Sequence, residues 1–148
     1  PVSFTFAPGR YLMGNAGVII SEISYIKKTS HKNFVIVDMA MNDLMRPGLY
    51  DAYHKILPVV QKDQEEGEAF DVVGPICEST DILAKNRILK NPKSGELLAF
   101  CSAGAYGSSM SNQYNSRPLV PEILVDGDVF EIIRKRPTYE EMIRFEKI

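Results

Sequence analysis

A thiol and a carboxylate stand side by side at Cys77 and Glu78, inside Gly74-Pro75-Ile76-Cys77-Glu78-Ser79-Thr80-Asp81. A rigid Gly-Pro approach and a Ser/Thr/Asp cluster behind it are turn chemistry, so the pair is expected on a connection rather than in a core strand. Neighbouring acid and thiol groups on a held loop can move protons, because their surroundings tune each toward neutral pH. The same residues also suit a capped turn around a half-buried cysteine, and alone they leave both readings open. A second candidate is Arg46 with Tyr50. If the turn around Pro47 is helical, with proline comfortable at its start, the two side chains are four apart and share a face. A guanidinium fork beside a phenol can receive a carboxylate through three contacts; an ordinary surface arginine beside a half-buried tyrosine is the plainer alternative. Arg10 follows Ala7-Pro8-Gly9, and Tyr106 sits between Gly104 and Gly107. There the backbone can approach a ligand closely, and consecutive small residues with free N–H groups can hold an anion.

The elements that must position these groups read as short strands. Val2 to Phe6 alternates apolar and polar residues, the period of a half-buried strand. A long strand from Val18 to about Lys27 and the β-branched run Phe34 to Asp38 form a hairpin with Lys32 and Asn33 near its tip. Ile56 to Val60, Phe70 to Val73 and Leu97 to Cys101 are further strands, with Cys101 a small core residue. Residues Gln61 to Glu68 read as an acidic exposed loop, and 82 to 96 as mixed, with a turn at Asn91 to Gly95. Leu119 to Val125 and Val129 to Arg134 make a last hairpin across Asp126-Gly127-Asp128. Thr138-Tyr139-Glu140-Glu141 is a capping box opening a terminal helix, whose Met142 and Phe145 are expected to dock on the sheet. About eight or nine strands with little helix predict one all-β domain over residues 1–148, a Greek-key barrel or sandwich. Arg10, the Arg46/Tyr50 turn, Cys77/Glu78 and Tyr106 all fall at strand ends or turns, where binding residues sit on such scaffolds.

Composition narrows the function classes. The 148 residues are 45% hydrophobic and 24% charged, the balance of a globular chain of one-domain size. A net charge of -2 gives no general attraction to nucleic acid, and Arg134-Lys135-Arg136 is a short run suited to a solvated strand end. No apolar run approaches the roughly 20 residues that span a bilayer, and no secretory leader pattern is seen. Cys77 and Cys101 lack C-x-x-C spacing and lie far in sequence from His31 and His54, against a zinc site. Such cysteine usage fits a reducing compartment, so a cytoplasmic location is expected, with no metal, membrane or nucleic-acid partner.

Several of these motifs occur together in one family. Pro8-Gly9-Arg10, Met41-Asn42-Asp43-Leu44-Met45-Arg46-Pro47 with Tyr50, Gly74-Pro75-Ile76-Cys77-Glu78-Ser79, Gly104-Ala105-Tyr106-Gly107 and Asn115-Ser116-Arg117-Pro118 stand in the order in which they occur in diaminopimelate decarboxylase. The resemblance runs from about residue 7 to the end. Those enzymes use pyridoxal 5′-phosphate to remove a carboxylate from meso-diaminopimelate, giving L-lysine, and pair a (β/α)8 barrel with a C-terminal β domain. This chain resembles the second. The resemblance implies that Arg10, Arg46 and Tyr50 bind the substrate carboxylate, that Gly9, Arg10 and Tyr106 lie against the cofactor, and that Tyr106 also lies against the substrate. It implies that Cys77 returns a proton to the substrate carbon after CO2 leaves, and that Glu78 reads the distal amino group. In the family, Cys77 and Glu78 serve the partner subunit's site, which implies a homodimer. The chemistry agrees, since a substrate with two ammonium–carboxylate ends needs fixed cations and a fixed anion, and a thiol is mostly protonated at neutral pH and can donate.

Two departures shape the expectation. Ala7 stands where family members carry a glutamate, a carboxylate that in related enzymes pairs with the cofactor's pyridine nitrogen. No lysine here lies in a cofactor-binding motif, and the barrel that would provide one is missing. The chain is therefore expected to be an excised or engineered β domain, with Val2 to Phe6 pairing onto its own sheet. It should bind no cofactor and be inactive alone. The alternative is a non-catalytic module used for amino-acid binding, dimerisation or folding.

Overall fold

The computed structural model describes residues 1–61 and 66–147. Its centre is a six-stranded sheet in the order β3-β6-β1-β2-β4-β5. Strands β1 (Ile19–Lys28) and β2 (Asn33–Val37) form the expected antiparallel hairpin. Its turn is closed by Thr29, whose hydroxyl accepts from the backbone N–H groups of His31 and Lys32 and donates to the Lys32 carbonyl. β1 is long enough to serve two neighbours. Residues Ile19 to Glu22 pair with β6 (Leu97–Phe100), and after an irregularity between Ile23 and Tyr25 the rest pairs with β2. Such a break bends a strand and raises its twist, which curls the sheet toward a barrel. β3 (Ile56–Pro58) extends one side through β6. On the other, β4 (Glu68–Val73) runs parallel to β2 and antiparallel to β5 (Ile82–Leu89). The fold is all-β, as expected.

The concave face holds the core. Ile23, Val35, Val37, Phe70, Val72, Leu83, Leu98 and Phe100 are almost wholly buried there, and removing a side chain of this kind from water contributes about 1.5–3 kcal/mol. Strands β7 (Glu122–Asp126) and β8 (Val129–Arg134) form a separate two-stranded sheet. It is tied back by Arg134, which pairs with Glu122 at 2.7 Å and donates to the Ser108 hydroxyl and the Val120 carbonyl, both at 3.0 Å. The described residues also form three short α-helices, α1 (Gly9–Met13), α2 (Arg46–Tyr50) and α3 (Tyr139–Ile143), and three single 3-10 turns at Gly14–Ala16, Ser108–Met110 and Tyr114–Ser116.

Several expectations are corrected. Val2 to Phe6 forms no strand. Val2, Phe4 and Phe6 are all at least 80% exposed, because alternation alone cannot make a strand without an edge to pair with. The stretch read as mixed contains β5, whose Lys85-Asn86-Arg87 interrupts the alternation. Asn86 takes a left-handed conformation (φ 52°) and its N–H donates to Asp71, while the β4–β5 register slips nearby. The capping box forms as expected, with Thr138 and Glu141 bonding reciprocally, yet α3 buries no residue and Phe145 is 84% exposed. Docking of Met142 and Phe145 on the sheet is not seen. The last hairpin begins at Glu122 rather than Leu119. Of the acidic loop expected at 61–68, residues 62–65 lie outside the described residues, and Glu68 already belongs to β4.

Candidate functional site

Arg46 opens α2, with Pro47 buried behind it as the second helical residue, one later than expected. Asp51 ends the helix in the left-handed region (φ 52°), and the Ala52 N–H donates to the Arg46 carbonyl. This turn presents Arg46 and Tyr50 on one face, as their spacing requires. The Arg46 guanidinium lies 6.0 Å from the centre of the Tyr50 ring and 5.6 Å from that of Tyr106. Two phenols thus bracket one cation, a geometry that favours the cation and leaves its fork available.

Tyr106 reaches this position through backbone strain. It is one of seven described non-glycine residues with positive φ (62°), a conformation that persists only where surrounding structure fixes it. The fixing is done from the other side of the cleft. The Ala103 N–H donates to the Gly17 carbonyl at 2.9 Å and the Gly104 N–H to the Gly14 carbonyl at 3.1 Å. At Gly17 and Gly104 the two backbones touch: a Cβ on Gly104 would stand 2.1 Å from the Met13 carbonyl oxygen, and one on Gly17 2.7 Å from the Gly104 Cα. Glycine is required at both for this approach. The junction carries α1, and with it Arg10, to the Tyr106 turn.

Arg10, Arg46, Tyr50 and Tyr106 consequently line one open cleft of about 550 Å³, together with Ala52, Tyr53 and Met110. An adjoining cleft shares Arg10, Arg46 and Tyr106 and adds Ala7, Gly9 and His54. His54 is buried; its Nδ1 sits 2.9 Å from the Cys101 carbonyl and its Nε2 has no partner. Among the described residues, no carboxylate pairs with Arg10 or Arg46. A receptor for an anionic group is the natural use of such a constellation. A cation at Arg10, an aromatic face at Tyr106, open space over Gly9 and an unsatisfied buried nitrogen fit one wall of a site for pyridoxal phosphate. Ala7, the departure noted in the sequence, lies on that wall, and no lysine lines either cleft.

Cys77 and Glu78 are not part of these clefts. Cys77 is exposed and, like Cys101, has a free thiol. Their loop is organised by Asp81, whose place in the sequence marks only a turn. Asp81 is buried; its carboxylate accepts the Met41 N–H at 2.7 Å and the Ile76 N–H at 3.0 Å. Burial pushes the Asp81 carboxyl above its ordinary value, against the opposing pull of those two N–H donors. Gly74 packs so closely on this carboxylate that a Cβ would meet it at 2.2 Å. The loop is thereby fastened to the turn that precedes Arg46.

On this loop the Glu78 carboxylate is well provided with donors. Oε1 accepts from the Thr80 N–H (3.2 Å), the Thr80 hydroxyl (3.1 Å) and the Ser79 hydroxyl (3.3 Å), and Oε2 accepts from the Tyr114 hydroxyl (3.2 Å). The Thr80 backbone and side-chain bonds, with the Tyr114 bond, hold its carboxyl below the ordinary glutamate value. Tyr114 is held protonated by the same contact, its hydroxyl pushed above the usual range by Glu78. Tyr114, Asp81 and His54 were not singled out as site residues from the sequence. Tyr114 stands just before the Asn115 to Pro118 motif and outside it, and its contact with Glu78, like those of Asp81 and His54, is long-range and leaves no local pattern.

Residues 10–104 match the family model described as the C-terminal sheet domain of pyridoxal-dependent decarboxylases. The diaminopimelate decarboxylase of Zymomonas mobilis is 49% identical over 142 residues, covering 96% of this chain and 33% of that protein. The structure of AQ1208 from Aquifex aeolicus superposes with a TM-score of 0.87 at 46% identity, over 91% of this chain and 33% of the other. Diaminopimelate decarboxylase from Helicobacter pylori, solved with L-lysine, gives a TM-score of 0.85 at 42% identity, over 93% and 33%. The chain spans about a third of the length of these relatives. By these matches in sequence and in fold, the chain belongs to the pyridoxal-dependent decarboxylases, as the C-terminal sheet domain of that family.

Proposed function

We propose that this chain supplies part of the active site of a pyridoxal-phosphate-dependent decarboxylase that converts meso-diaminopimelate to L-lysine and CO2. The observation that carries the reading is the convergence of Arg10, Arg46, Tyr50 and Tyr106 on one cleft that holds no carboxylate of its own. Arg46 and Tyr50, with Arg10 opposite, receive a substrate carboxylate through charge-assisted bonds. Gly9, Arg10 and Tyr106 face the cofactor, which when bound supplies an electron sink for the pair left by departing CO2. Cys77 donates the proton that replaces CO2 on carbon, from its Sγ. Glu78, kept ionised, receives the distal ammonium.

Neither Cys77 nor Glu78 lines the arginine cleft, which favours their delivery to the site of a second subunit, hence a homodimer. The cofactor lysine and the rest of the phosphate site come from a barrel domain beyond this chain, so residues 1–148 are inactive alone. The L-lysine bound in the Helicobacter pylori relative supports a ligand of this class. Biosynthetic chemistry of this kind suits the cytoplasm; among the described residues no helix is long and apolar enough to cross a membrane.

The test is CO2 release from meso-diaminopimelate by the full-length, cofactor-loaded protein. Arg46→Ala should raise KM by about 10–100-fold, the loss of a charged hydrogen-bonded contact, with an unchanged melting temperature. An Arg46→Ala protein with wild-type KM would overturn the assignment.

A further inference from the structure

The Glu78 carboxylate has two unequal oxygens. Oε1 is occupied by Ser79 and Thr80, donors from its own loop, whereas Oε2 has a single described donor, the hydroxyl of Tyr114, 36 residues away in sequence. A carboxylate oxygen accepts two bonds, so Oε2 keeps one acceptor site in a direction that Tyr114 sets. Tyr114 is itself firmly placed. The Asn112 N–H donates to the Asn42 carbonyl and the Asn42 side chain donates back to the Asn112 carbonyl, both at 3.1 Å, while the Asn112 side-chain oxygen accepts the Tyr114 N–H at 3.0 Å. Three residues on, Arg117 donates to the Asp38 carbonyl at 2.6 Å and pairs with buried Asp43 at 3.6 Å. Between these anchors Asn115 and Ser116 both take positive φ (56° and 55°), a strained bend that the anchors on either side sustain.

We infer that Tyr114 is a positioning and specificity-determining residue, which orients Glu78 Oε2 toward the distal ammonium of the substrate. This rests on the reading of Glu78 given above. Glu78 is half-buried and its carboxylate otherwise bonds only through Oε1 within its own loop, so without the Tyr114 hydroxyl Oε2 loses the one described contact that fixes its direction and meets an ammonium less often. The hydroxyl donates, never accepts, in this contact, and Tyr114 lines neither of the arginine clefts.

The experiment uses the full-length, cofactor-loaded protein and two ligands: diaminopimelate, and 2-aminoheptanedioate, which is the same skeleton without the distal ammonium. Tyr114→Phe should raise KM for diaminopimelate by about tenfold, the worth of one hydrogen bond to a charged group, leave kcat within about twofold, and leave the inhibition constant of 2-aminoheptanedioate unchanged. A merely structural role would weaken both ligands together, and that result overturns the inference, as does an unchanged KM for diaminopimelate. Glu78→Gln separates the two levels. If it leaves the preference for diaminopimelate intact, the reading of Glu78 fails; if it abolishes the preference while Tyr114→Phe does not, only the inference fails. Should Tyr114→Phe not fold, Tyr114→Leu carries the same expectations.

Discussion

Arg46, Glu78 and Tyr106 each owe their chemistry to something their identity alone does not provide. Arg46 is a useful cation because two phenol rings bracket it; Tyr106 is aimed by a left-handed backbone; Glu78 is kept anionic by hydrogen bonds from Thr80 and Tyr114. The last has a consequence for pH. The folded carboxyl sits below its ordinary value of 4.5, so Glu78 stays ionised into mildly acid solution and takes up its proton only as pH falls through that lowered value. A 13C titration of the Glu78 carboxyl should therefore show a midpoint under 4.5, and Thr80→Val, which removes the hydroxyl donor, should move it upward. A wild-type midpoint at or above 4.5 would contradict the assigned hydrogen bonds. The residue types were legible in the sequence, and so was the Arg46–Tyr50 spacing, because helical spacing is local. The Asp81 carboxylate that ties residue 76 to residue 41 was not, since only the fold brings those backbones together.

Among the elements, the two junctions matter more than the strands. One binds α1 and the 3-10 turn that follows it, over residues 9–17, to the Tyr106 turn through the glycine contact; the other fastens the Cys77 loop to residues 40–48 through Asp81. Adding a methyl at the first forces backbone apart, and overpacking of this kind costs about 1–3 kcal/mol. Gly104→Ala should lower the denaturation midpoint accordingly and separate Arg10 from Tyr106, raising KM for diaminopimelate; an unchanged midpoint with unchanged KM would show that the contact does not position the site. Hairpins and caps were legible because their signals are contiguous: β1–β2, β7–β8 and the Thr138 capping box all form where turn and capping residues mark them. Val2 to Phe6 shows the converse, a correct period without a partner strand, and β5 shows a real strand hidden by a left-handed Asn86.

At the scale of the molecule, the apolar surface is divided. The six-stranded sheet encloses a core, while the β7–β8 hairpin keeps Val125, Val129 and Phe130 at least 67% exposed and the N-terminal phenylalanines stand in solvent. The proposed assembly with a barrel domain and a second subunit would cover this surface, and the chain spans a third of its relatives' length. The same division runs through the proposed site, with Arg10, Arg46 and Tyr50 on one cleft and Cys77 with Glu78 outside it. The direct test is subunit mixing in the full-length, cofactor-loaded protein. Arg46→Ala and Cys77→Ala proteins are combined, dissociated and reassembled, and CO2 release is measured at a diaminopimelate concentration far below the raised KM of Arg46→Ala, where neither variant alone turns over appreciably. If each site draws Arg46 from one subunit and Cys77 from the other, half of the dimers are mixed and each has one intact site, so activity returns to about a quarter of wild type. No recovery after exchange would place both residues in a site of one subunit and contradict the proposed division.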